Sequence, residues 1–264
     1  MHKSQMHLLL AILNVIGFLG VVAVNGLANA LPLAGKTTGQ LSDQYPNLFV
    51  PSGLTFSIWG LIYLLLAIYV TYGMVQAIRM PAEAASFTSR IGFLFIITCI
   101  ANAAWIFCWH YEKLPLSLLC MLILLVTLAE IYLRLNFGRS ATGPTEKFLV
   151  HLPISIYLGW ISIATIANIT AVLVAVKWNR FGISEQVWAI LMIGIGTVLA
   201  LLLLFQRKDP FYALVVDWAV FGIFLRRTSD SRASVQGIII MSIICISILT
   251  LAVLIQIIRR QVYS

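Results

Sequence analysis

Trp160-Ile161-Ser162-Ile163-Ala164-Thr165-Ile166-Ala167-Asn168 places an indole and a carboxamide in the middle of the apolar run Phe148–Val176. The run exceeds the about 20 residues a helix needs to cross a bilayer, so it reads as a membrane-spanning helix. A carboxamide left unpaired in hydrocarbon costs about 1–3 kcal/mol. Polar groups at that depth should therefore face other helices, a cavity or a ligand. Asn102-Ala103-Ala104-Trp105 repeats the pattern inside a second apolar run, Ile91–Trp109.

The whole chain shares this character. Apolar residues make up 61% of its 264 positions, charged residues only 10%, and the mean hydropathy is +0.99. A soluble domain runs near 45–50% apolar and about 25% charged, so the chain reads as a polytopic helical membrane protein whose first partner is the lipid bilayer. The net charge of +8 does not point to nucleic acid, because the Lys and Arg residues are scattered singly or in pairs between apolar runs. Cys99, Cys108, Cys120 and Cys245 lie inside or at the edge of apolar segments with no CxxC spacing, so neither a disulfide framework nor a zinc site is indicated.

Scanning outward gives spans at roughly Leu8–Leu31, Leu54–Met74, Ile91–Trp109, Leu116–Leu135, Phe148–Val176, Gln186–Phe205, Phe211–Leu225 and Val235–Ile258. Seven are clear. Phe211–Leu225 is short and carries Asp217, which leaves a re-entrant segment open, although Asp209 as N-cap and Pro210 in the first turn mark a helix start. The first segment, with Lys3 before it and Ala28-Asn29-Ala30 near its end, has signal-peptide features but exceeds the usual h-region of about 7–15 residues. It reads as an uncleaved helix. Lys3, Arg79, Arg90, Arg134, Arg139, Lys147, Arg207, Lys208, Arg259 and Arg260 fall on the N-terminal side. That small excess is expected to place the N-terminus of this multi-pass protein in the cytoplasm; a bacterial plasma membrane is the expected location.

The longest loop, Pro32–Gly53, is rich in turn formers, and loops of that length are usually lids or linkers. Tyr45, Leu48, Phe49 and Pro51 favour a lid packed on the bundle. The one domain boundary falls near Trp178–Gly182, dividing the chain into 1–180 and a membrane extension of about three segments, 181–264.

On the fifth segment Trp160, Ala164, Ala167, Asn168, Ala171 and Ala175 share an arc of about 100°. Close helix packing explains Ala167, Ala171 and Ala175; Trp160 and Asn168 are open to a pocket role. On the third segment Asn102 and Trp105 sit deep, whereas Trp109 reads as interfacial belt. Trp59 and Tyr63 lie one turn apart on the second segment, so three helices could line one aromatic cavity with a few polar anchors. Glu130 has Arg134 one turn on and reads as a local pair. Asp217 has no such neighbour in its segment and is either functional or held by another helix. Leu128-x3-Tyr132-x-Arg134 fits a proposed sterol-contact pattern of low specificity. His110 and His151, at segment ends, read as solvated. No phosphate-loop, dinucleotide, hydrolase or zinc-protease motif is present, and every lysine lies in the tail, a loop or a segment end.

Pro51-Ser52-Gly53-Leu54-Thr55-Phe56-Ser57-Ile58-Trp59 with Tyr63, Asn102-x2-Trp105, and Pro153 with Tyr157, Trp160, Ala164, Thr165 and Asn168 together resemble the translocator protein family, also called tryptophan-rich sensory proteins (TspO/MBR). The likeness covers roughly residues 8–178. It implies an all-α five-helix core, here with about three further transmembrane segments, whose first loop caps a pocket for porphyrins, haem-like tetrapyrroles, sterols or flat aromatic drugs. It also implies homodimers, a sensor, regulatory or transport role and no required cofactor; an enzyme acting on porphyrin with light or oxygen rests on family analogy alone, since the sequence shows no nucleophile–base pair. Trp59, Asn102, Trp160 and Ala164 would be pocket residues. The chain departs from the family's Pro-Pro-Gly-Trp at the second-segment entrance, and Trp59 follows Phe56 by three residues instead of four. One residue turns a helical side chain by about 100°, so the tryptophan keeps its place only if the helix starts after the offset. The residue reading leaves two rival functions: binding of a flat ligand, or secondary transport coupled to protons through Asp217. If 1–180 is the whole binding unit, a chain ending after Phe181 inserts and binds ligand.

Overall fold

The computed structural model describes residues 3–31, 33–79, 86–139, 143–232, 235–259 and 262; Pro32 and Arg260, named above, lie outside them. Eight long helices follow in chain order: α1 Lys3–Ala30, α2 Ile58–Arg79, α3 Leu94–His110, α4 Leu114–Arg134, α5 Leu152–Ala175, α6 Glu185–Arg207, α7 Pro210–Thr228 and α8 Gln236–Ile258. Each matches one expected span. Among the described residues there is no strand, so the chain is a polytopic helical membrane protein.

Among the described residues six segments are long and apolar enough to cross a membrane, two of them joining α2 and α5 to the turns before them. Sequence reading counted seven; the seventh, α3, has 17 residues, the lower end of the about 17–25 needed. Helix α7 is one unbroken helix of 19 residues, roughly 28 Å at 1.5 Å per residue. Its start is as the sequence implies: Pro210 opens the first turn and Asp209 Oδ1 accepts from the Phe211 and Tyr212 amides at 3.1 and 3.2 Å.

The backbone gathers into two compact units, one of Met1–Thr38, Trp59–Phe137 and Thr142–Leu158, the other of Gly39–Ile58, Gly138–Ala141 and Gly159–Ser264. The second unit groups the first loop from Gly39, and α5 from Gly159, with the C-terminal helices. In the first unit α3 packs on α1 and α4. Gly17 lets α1 come close, since a Cβ there would stand 3.2 Å from Cys99 Cβ. Thr98 donates to Thr127 across α3 and α4 at 3.2 Å. Tyr69 packs its ring on Phe87 and Phe95, each at 5.0 Å. In the second unit α7 packs against α6 and α8, and Gln256 of α8 donates to the Leu204 carbonyl of α6 at 2.9 Å.

Two readings are corrected here. His110 and His151 are not solvated but buried: His110 Nδ1 lies 2.9 Å from the Ile106 carbonyl, and His151 stacks on Phe137 at 4.1 Å. The sterol-contact pattern is not offered to lipid either. Leu128 and Tyr132 are buried, Tyr132 against Phe137, and Arg134 donates to Glu130 at 2.7 Å as expected.

Candidate functional site

Four of the expected site residues meet in the first unit. Regular helix begins at Ile58, after a 3-10 turn at Gly53–Ser57. Phe56 thus lies in that turn and Trp59 in the first turn of α2. Trp59 stacks on Tyr63 at 5.5 Å (20°) and on Trp105 at 6.1 Å (28°), and meets Tyr157 of α5 edge-on at 6.1 Å. Trp105 stacks in turn on Trp109 at 6.1 Å. Such contacts are each worth about 0.5–1.5 kcal/mol beyond burial, and these five rings form one contiguous ladder. Trp109, read as interfacial, is buried and donates to the Thr38 carbonyl at 3.2 Å.

Asn102 anchors the ladder's polar side. Its Nδ2 donates to the Tyr157 hydroxyl at 2.8 Å, and its Oδ1 accepts from Asn25 Nδ2, also at 2.8 Å. Three helices are thereby tied by two hydrogen bonds. Sequence reading missed Asn25, although the rule that found Asn102, an amide deep in an apolar run, applies to it equally. Two buried polar atoms, Trp105 Nε1 and the Tyr63 hydroxyl, have no hydrogen-bond partner among the described residues.

The remaining expected residues belong to the second unit. Trp160 is buried with Phe56 edge-on at 5.9 Å; Asn168 is buried and Ala164 half-buried on α5. The first loop is well structured. Asn47 Oδ1 accepts from the Phe49 and Val50 amides at 3.0 and 3.1 Å, its Nδ2 donates to the Tyr45 carbonyl, and Phe49 and Pro51 are buried while Tyr45 is half-buried. The loop is fastened to α7. Ser52 N donates to the Gly222 carbonyl at 2.9 Å, and Trp218 Nε1 to the Thr55 carbonyl at 3.1 Å. Arg226 reaches the Pro51 carbonyl at 3.2 Å and pairs with Asp43, and Arg227 reaches the Val50 carbonyl at 3.5 Å. Gly222 permits this approach, since a Cβ there would lie 1.9 Å from Thr55 Oγ1. Beyond α7, hydrogen bonds from Arg232 hold the Asp230 carboxyl down to about 2, so it stays ionised near neutral pH.

Asp217, in the middle of α7, accepts from Thr250 of α8 through Oδ2 at 2.8 Å. Its other oxygen is buried with no hydrogen-bond partner among the described residues. A cleft of about 360 Å³ also lies in this unit, between loop residues Pro46–Phe49, the end of α5 with residues to Arg180, and the start of α6. Of the expected site residues it takes in only Phe49.

An all-helical bundle with aromatic and amide side chains gathered inside apolar helices defines an integral membrane protein with an intramembrane polar and aromatic core. The chain belongs to the TSPO-like protein family, whose family model matches residues 11–255. The match runs past residue 180, so α6, α7 and most of α8 fall within it. No curated protein and no solved structure matches the chain.

Proposed function

We propose that the protein binds flat aromatic molecules of the porphyrin class within the membrane, in a sensor, regulatory or transport role. The carrying observation is the ladder Tyr63–Trp59–Trp105–Trp109, whose stacking continues over four rings and beside which Trp105 Nε1 and the Tyr63 hydroxyl have no hydrogen-bond partner among the described residues. Sites for flat apolar ligands combine such aromatic walls with a few convergent polar groups, and family membership supports the same reading. Trp59, Tyr63, Asn102 and Trp105 would form this site; Trp160, Ala164 and Asn168 on α5, with Tyr45, Phe49 and Pro51 of the loop, are proposed as ligand-contacting residues of the second unit on the family likeness alone. Sterol-like ligands and a homodimer remain within the proposal.

The test is a visible-absorption titration of the purified protein with protoporphyrin IX. Trp59→Ala should weaken binding at least tenfold, which is about 1.4 kcal/mol and within what one stacked ring supplies. Trp59 is only half-buried, so the variant should keep its helical circular dichroism. Unchanged affinity in a folded Trp59→Ala protein would remove the ladder from the site.

A second reading, proton-coupled transport, is favoured by the unpartnered buried oxygen of Asp217. An intramembrane carboxylate is by default a functional group. Asp217→Asn keeps an acceptor for Thr250 but cannot release a proton. Uptake of porphyrin into proteoliposomes driven by a pH gradient should then vanish while equilibrium binding is unchanged. Equal uptake by both proteins would exclude coupling through Asp217.

A further inference from the structure

The cleft at the junction of α5 and α6 carries a charge pattern that the porphyrin reading does not use. Its floor is apolar, made by Leu48, Phe49 and Ala189. Its rim holds two cations, Lys177 and Arg180, and one acid, Glu185, none of which has an ion-pair partner within 4 Å among the described residues; Arg180 Nε donates to the Ile183 carbonyl at 3.3 Å, and Glu185 feels Arg227 and Arg232 at longer range. Trp178 and Trp188 also line it and meet edge-on at 4.9 Å.

The backbone here is held in an unusual form. Lys177, Arg180 and Phe181 adopt φ of 54°, 57° and 54°, a left-handed conformation that costs a non-glycine residue energy and persists where the surroundings impose it. The first of these ends α5, with the Trp178 amide returning to the Leu173 carbonyl at 3.0 Å. Phe181 is 81% exposed beside Trp178. Paired tryptophans and cations at the ends of two membrane-spanning helices mark the headgroup level of a bilayer.

We infer that this cleft binds the headgroup of a membrane phospholipid that carries both a phosphate and a primary ammonium, of the phosphatidylethanolamine type. Lys177 and Arg180 take the phosphodiester, the guanidinium offering a fork of donors and the amine a point charge. Glu185 takes the ammonium, with the Trp178 and Trp188 faces completing its surroundings. A purely anionic headgroup would satisfy the two cations and leave Glu185 opposed. The volume of about 360 Å³ suits a headgroup, and the acyl chains leave along the Leu173 and Val174 side of α5 toward hydrocarbon.

The test measures the melting temperature of the full-length protein in detergent with added dihexanoyl phosphatidylethanolamine, dihexanoyl phosphatidylglycerol or soluble phosphoethanolamine. The ethanolamine lipid should stabilise at concentrations at least tenfold lower than the other two. Lys177→Gln and Arg180→Gln should each weaken its effect tenfold or more, and Glu185→Gln should shift the preference toward the glycerol lipid. Variants unstable in the absence of lipid are replaced by Lys177→Arg and Glu185→Asp, which should retain the preference for the ethanolamine lipid. Equal stabilisation by both lipids, unaltered by Glu185→Gln, would overturn headgroup recognition. Phosphoethanolamine acting as well as the lipid would overturn the membrane source.

Discussion

Asn102→Leu should lower the stability of the protein by about 1–3 kcal/mol, the cost of leaving buried polar groups without partners. The wild-type amide serves two helices at once, accepting from Asn25 and donating to Tyr157. All three side chains are buried. Leucine fills the volume but strands an Asn25 N–H and the Tyr157 hydroxyl. Against a total stability of about 5–15 kcal/mol, a loss of this size should be plain in the unfolding midpoint, followed by circular dichroism in detergent. The decisive comparison is the triple variant Asn25→Leu/Asn102→Leu/Tyr157→Phe. Replacing every partner by an apolar group of similar shape can be nearly neutral, so the triple variant should recover much of the loss. A triple variant less stable than Asn102→Leu alone would show that packing around the three residues, and not unpaired polar atoms, sets the cost.

That network marks how far the sequence could be read. Each of the eight helices was legible, because burial in lipid requires long apolar runs and leaves few alternatives. The N-cap of α7 was legible for the same local reason, as Asp209-Pro210 is chemistry within one turn. The depth of Asn102, Trp105 and Trp160 was legible too, but their partners were not. Which amide Asn102 meets depends on the rotation of α1, and α1 carries Asn14, Asn25 and Asn29 with nothing in its sequence to rank them. Trp109 and the two histidines were misplaced because position near a segment end is a poor guide to burial when a loop folds over that end. Trp109 is covered in this way, its indole N–H donating to Thr38 at the start of the loop. The hold of α7 on the loop was invisible, since four of its hydrogen bonds use backbone carbonyls or an amide, which every residue possesses.

Ending the chain after Phe181 is therefore expected to abolish the folded state, whereas a self-sufficient five-helix core would tolerate it. The cut removes all the α7 groups that hold Val50 to Thr55: the Gly222 carbonyl, the Trp218 indole and the Arg226 and Arg227 guanidinium groups. Four hydrogen bonds at about 1 kcal/mol net each approach the lower end of a typical total stability. The cut also strips a packed face from α5, where a Cβ at Gly159 would stand 3.1 Å from Val215 Cβ and one at Gly196 of α6 would stand 3.0 Å from Ile163 Cδ1. The shortened chain should accumulate poorly and fail to elute as a single species after detergent extraction. Co-expression of residues 182–264 as a separate chain should restore a stable complex, because the lost partners are contacts and not peptide bonds. A shortened chain that extracts as one species and binds protoporphyrin IX with the full-length affinity would show that residues 1–180 suffice, and that α6 to α8 serve some purpose other than holding the first loop in place.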